Sequence, residues 1–192
     1  MMEKYSAQTR SRLMEDETSI RAVMPCPGGG HIVTLGFPGL SFDIRGDAFI
    51  DPERLNATLS AAALDTCRLL IVLVEKQEVA EDAWPLLQAV VEKRSGRMVH
   101  LPIKDYEAPD TGFITAWEQL SEEINDILAD GATVAISCHY GAGRSGTVAA
   151  SMLIERGKSL QEAIDILRSE FEESIESEKQ LTWLRQVEIA AR

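Results

Sequence analysis

Apolar positions in this chain keep two different beats, and their alternation sets the expected architecture. Residues 68–75 (RLLIVLVE) form an unbroken apolar run of strand length, the pattern of a strand covered on both faces in a parallel sheet. Residues 132–137 (ATVAIS) repeat that pattern in shorter form. Residues 31–36 and 97–103 also read as strands, and Phe37-Pro38-Gly39 turns the chain after the first of them. Between strands the apolar spacing widens to three and four positions. It predicts helices over residues 78–93 and 112–129, the second with Phe113, Ile114, Trp117, Leu120, Ile124, Ile127 and Leu128 along one side. Asp51 before Pro52 reads as an N-cap with a first-turn proline, opening a helix to about residue 64. Residues 146–155 are apolar on most sides, as in a buried helix. Ser159-x-x-Glu162 is a capping box opening another, and residues 177–190 read as the last. Strands alternating with helices imply an α/β, three-layer fold with a mainly parallel central sheet of about four to five strands and helices on both faces. Residues 1–24 read as a polar leader, residues 25–30 (PCPGGG) as a loop, and residues 25–192 as a single domain.

Composition narrows the function classes. A hydrophobic content of 45% supports a sizeable core. The formal charge of −12 repels nucleic acid phosphate, so no nucleic-acid partner is expected. The leader lacks the apolar centre of a signal peptide, and no apolar run has the length of a membrane span. The expectation is a soluble, cytoplasmic protein. Cys26, Cys67 and Cys138 are too few and scattered for a disulfide framework, and no C-x-x-C pair suggests zinc. His31 and His100 fall in strand patterns and Trp84, Trp117 and Trp183 in helical ones, where packing accounts for them.

The segment from Ser137 to Thr147 (SCHYGAGRSGT) carries the candidate chemistry. Cysteine and arginine six apart are a weak motif by themselves, but the context is specific. A buried strand delivers Cys138, Gly141 and Gly143 allow a tight turn, and a helix starts at Ser145 or Gly146. Strand, loop and helix aim successive backbone N–H groups into one concavity that binds anions. The backbone of His139, Tyr140, Gly141, Ala142, Gly143 and Arg144 would cradle phosphate. The same field favours a thiolate at Cys138, and the planar fork of Arg144 suits two phosphate oxygens. An inert buried thiol on an ordinary turn would not call for this density of anion-binding features. Hydrolysis of a phosphomonoester also needs an acid for the leaving alcohol. Candidates lie in residues 101–110 (LPIKDYEAPD), at the carboxyl edge of a strand, where parallel sheets place their sites. Asp105 is the candidate chosen and Asp110 is held beside it, although the pattern alone favours a solvated turn residue for any one aspartate of the loop.

These residues resemble the protein tyrosine and dual-specificity phosphatase superfamily, whose pattern of His-Cys, five residues, Arg, then Ser or Thr is matched at Cys138, Arg144 and Ser145. Pro102-Ile103-Lys104-Asp105, with Pro109 and Asp110, is similar to the family's general-acid loop, especially that of kinase-associated phosphatases. The resemblance implies the cysteine phosphatase fold and a two-step reaction. Cys138 would attack phosphorus, Asp105 would act as acid and then base, and Ser145 would help the sulfur leave as a thiolate. No metal or cofactor is implied. The expected partner is a phosphorylated protein or peptide, and the sequence assigns no oligomeric state. One departure stands out: the family's His before the nucleophile is Ser137 here. By the same resemblance Gln180 is a candidate for positioning water, although Ser177-x-x-Gln180 also reads as a capping box, the favoured reading. Some relatives protect the nucleophile with a disulfide, a role open to Cys26 or Cys67, although two ordinary buried or loop thiols are the favoured reading. The loop offers no lysine at His139, Tyr140 or Ala142, which disfavours inositol phosphates. The alternatives are a phosphoinositide phosphatase, a sulfurtransferase, which would leave Asp105 idle, and an inactive phosphate-binding module, which the retention of both Cys138 and Asp105 opposes.

Overall fold

A computed structural model describes residues 17–191. Its centre is a five-stranded sheet built from β1 (Ile20–Pro25), β2 (His31–Gly36), β5 (Cys67–Val72), β6 (Arg97–His100) and β7 (Thr133–Cys138), in the order β1-β2-β7-β5-β6. Only β1 runs antiparallel to its neighbour; β2, β7, β5 and β6 pair in parallel. A small hairpin of β3 (Leu40–Phe42) and β4 (Ala48–Ile50) stands apart from this sheet. The helices are α1 (Pro52–Leu59), α2 (Ala83–Lys93), α3 (Thr111–Ala129), α4 (Gly143–Glu155), α5 (Leu160–Glu170) and α6 (Glu178–Ala190).

Alternation along the central strands sorts the core into two layers. Leu69, Ile71, Leu73, Val134 and Ile136 pack with α3, α4, α5 and α6. Leu70, Val72, Val74 and Ala135 pack on the opposite side with α1 and α2. Both faces are therefore covered, which is why these strands read as unbroken apolar runs. The expected three-layer, mainly parallel α/β architecture is the one found. Helix α4 occupies the middle of its layer, with every residue from Gly143 to Ile154 buried.

Four details depart from the sequence reading. The boundary at residues 24 and 25 cuts through a strand, because Ile20, Ala22 and Met24 are buried in β1. A register shift between Ile20 and Ala22 sends them to different layers. Residues 1–16, the rest of the expected leader, lie outside the described residues. The helix expected over 52–64 stops at Leu59, since Ser60 and Ala61 leave helical geometry before a short 3-10 turn at Ala62–Leu64. The helix expected from residue 78 starts at Ala83, because Glu75 and Glu78 close a capping box around a separate 3-10 turn, Lys76–Glu78. The strand over 97–103 ends at His100, though Leu101 and Ile103 still donate to Val72 and Leu73 on either side of Pro102, which has no N–H.

Candidate active site

The parallel register brings Cys138 to the carboxyl edge of the sheet, level with Gly36 at the end of β2. The Cys138 sulfur is buried, accepts a hydrogen bond from the Gly141 N–H at 3.2 Å and lies 3.3 Å from Ser145 Oγ. Gly141 has φ +99°, and a Cβ there would fall 2.5 Å from the Gly36 nitrogen, so the loop can curl over the sulfur only with glycine at this position. Helix α4 begins at Gly143 with no side-chain cap, earlier than the expected start at Ser145 or Gly146. Its first amides are thus free of an internal acceptor, and its dipole points at the loop. Ser137 faces away, fully buried, with its hydroxyl donating to the Gly36 carbonyl at 3.3 Å.

Arg144 is almost wholly buried, and its guanidinium is fixed on three sides. Nη1 and Nη2 reach the two oxygens of Glu78 at 2.6 and 2.7 Å, and Nη1 also donates to the Ile103 carbonyl at 3.0 Å. Burial works against its charge, but Glu78, aided by Cys138 and Asp105, more than offsets this and raises its affinity for the proton. Burial likewise opposes the Glu78 charge, and Arg144, with the Glu75 amide, holds that carboxyl below its ordinary range. Sequence reading missed Glu78; the available signal was its place just past the carboxyl end of β5. The Glu78→Ala protein is expected to lose about 3 kcal/mol near neutral pH, the cost of breaking a buried pair. A carboxyl depressed in the folded state stabilises above its unfolded pKa and loses that contribution as pH falls through the folded value. The deficit in urea unfolding should therefore shrink in acid; an equal deficit at every pH would assign the loss to packing instead.

Asp105 projects from the loop after β6, and its Oδ1 lies 3.2 Å from Arg144 Nη2. The next residue, Tyr106, has φ +57°, an uncommon conformation for a side chain of this size. It is held by a 2.8 Å hydrogen bond from the Ser177 hydroxyl to its carbonyl, while Lys179 pairs with Glu107. Asp110 is elsewhere: its carboxylate accepts from the Phe113 N–H at 2.8 Å and caps α3. Gln180 completes the capping box of α6, accepting from the amides of Glu176 and Ser177 through Oε1. Its Nε2 is buried without a partner among the described residues and faces Gly143. The three cysteines are free, and burial pushes Cys67 up to about 11 and raises Cys26.

Asp105, Tyr106, Cys138, His139, Tyr140, Arg144 and Glu176 line one pocket of about 230 Å³. His139 meets Phe42 of the β3–β4 hairpin, and Tyr140 packs edge-on against Phe171 with the Arg21 guanidinium over its ring. Glu176 is the second residue that sequence reading missed, since the glutamate-rich run of residues 170–178 hides it. No cluster of metal-ligating side chains occurs among the described residues. The pocket can thus hold an anion against amides and a guanidinium, with a thiol and a carboxyl beside it.

A family model described as "Polymorphic toxin system, DSP-PTPase phosphatase" matches residues 55–158. Protein tyrosine phosphatase type IVA 3 from Bos taurus is 34% identical over 131 residues, spanning 67% of this chain and 71% of the relative. Among solved structures, kinase associated phosphatase with its catalytic-site cysteine replaced by serine superposes with TM-score 0.66 at 22% identity, covering 84% of this chain and 87% of the other. Tk-PTP in its active form gives TM-score 0.58 at 25% identity, covering 89% and 97%.

Proposed function

The chain belongs to the protein tyrosine and dual-specificity phosphatase superfamily, and from that premise we propose that it hydrolyses phosphomonoesters on proteins or peptides through a phosphocysteine intermediate. The observation that carries this reading is that the Cys138 sulfur, Arg144 and Asp105 share one pocket at the mouth of an uncapped helix. The Cys138 thiolate attacks phosphorus in line; the S–P bond forms as the P–O bond to the leaving group breaks. Asp105 gives its proton to the departing oxygen. Water then attacks phosphorus, Asp105 takes a proton from it, and the S–P bond breaks to release phosphate and the thiolate. The Ser145 hydroxyl, 3.3 Å from the sulfur, stabilises the returning charge. The amides of residues 139–144 and the Arg144 fork hold the equatorial oxygens where charge builds. Asp105 Oδ1 lies 3.2 Å from Arg144 Nη2, so the acid stands beside the guanidinium proposed to hold the phosphate.

The Asp105→Ala protein tests the role of the acid. For a substrate with a poor, alkyl-like leaving group, kcat should fall about 10²–10⁴-fold with little change in binding. With an activated aryl phosphate the first step is spared, so Cys138 should gain the mass of one phosphoryl group on acid quench. Unchanged kcat, or the same loss on Asp110→Ala without one on Asp105→Ala, would move the acid elsewhere.

A further inference from the structure

An anion pocket normally gathers cations, but this one gathers carboxylates. Among the described residues that line it, Arg144 is the one permanent cation, and its fork is already matched to Glu78. The Glu176 carboxylate rests directly on the phosphate loop: a Cβ at Gly143 would lie 1.9 Å from Glu176 Oε2. Taking the phosphate site as proposed above, we infer that Glu176 is a specificity-determining residue whose carboxyl must carry a proton for the pocket to accept a phosphate dianion. In that state it turns from a competing charge on the cradle into a hydrogen-bond donor to a phosphate oxygen.

The groups facing this carboxyl define its preference. Burial raises it first, and Asp105, from the loop after β6, raises it further, as does Glu173 on its own loop. Arg144 and the Gly143 amide, both from the start of α4, pull the other way. Cys138, His139, Tyr106 and Tyr140 complete the titratable lining of the pocket. A phosphate dianion entering this set adds two like charges beside a carboxyl that already rests on the cradle at Gly143. Glu176 therefore takes up a proton as the dianion binds. Coupling is reciprocal: whatever factor phosphate adds to the proton affinity of Glu176, protonation adds to phosphate affinity.

Binding of inorganic phosphate, measured by calorimetry, tests this in the Cys138→Ser background, which removes the thiol and turnover together. The ratio of Kd with Glu176 to Kd in the additional Glu176→Gln variant should climb from near one at about pH 5 to roughly ten-fold or more at about pH 8. The Glu176→Ala variant should show the same climb, and thermal melts check that both remain folded. A ratio independent of pH, or weaker binding by the Gln variant throughout, would overturn the inference. Absence of phosphate binding by the Cys138→Ser parent at every pH would instead sink the site reading, and this inference with it.

Discussion

The Cys138→Ser protein is expected to hydrolyse an aryl phosphate at least roughly 10⁴-fold more slowly than the unaltered chain, while keeping its fold and its affinity for phosphate. The size of the loss follows from what surrounds the sulfur. Cys138 receives an amide hydrogen bond from Gly141 and sits beside the Ser145 hydroxyl, and neither partner is a base that could ionise an alcohol. A serine hydroxyl, nearly the same size, would fill the position and stay protonated. Measurement of kcat beside a phosphate titration separates the two effects. Activity within ten-fold of the parent would mean that another group attacks phosphorus, and the proposed mechanism would fail at its first step.

Arg144→Lys should be nearly as damaging and for two reasons that can be told apart. First, a lysine offers a point charge where the transition state presents two oxygens to a planar fork, so kcat/KM should drop about 10²–10³-fold, the scale of losing one preorganised charge stabiliser. Second, Arg144 makes two hydrogen bonds to Glu78 and one to the Ile103 carbonyl, and an ammonium cannot reproduce all three. The protein should lose stability along with activity. Adding Glu78→Gln to the lysine variant removes the partly unpaired carboxylate. It should recover part of the stability and none of the rate. Recovery of the rate would show that Arg144 works through the scaffold, with no direct hold on phosphate.

The legibility of this chain follows the range of its interactions. Strands β5 and β7 announced themselves because both faces are covered, and Asp51, Ser159 and Ser177 marked helix starts because a cap is a local bond. Strand β1 escaped because a register shift breaks its alternation and Arg21 lies inside it. The β3–β4 hairpin escaped because half of its side chains, Phe42 and Phe49 among them, stay exposed and show no buried stripe. At the site, the positions from Cys138 to Ser145 are contiguous and could be read as one motif. Glu78 reaches Arg144 from 66 positions earlier in the chain, and Glu176 reaches the pocket from another loop altogether. Their roles depend on a fold-level meeting that no local spacing records. Asp110 is the converse case, a plausible acid by position whose carboxylate is spent on a helix cap.

Helix α4 has a consequence for how the pocket can move. From Gly143 to Ile154 it has no exposed face, and it packs against β2, β7, α5 and α6 at once. A cradle welded to such a post cannot breathe by itself, because releasing its first turn would unseat the neighbours on every side. The exposed parts of the site include its two rims, at Asp105 and at Glu176. Any movement that admits a substrate is therefore expected at those rims, with the floor held fixed for as long as the molecule is folded.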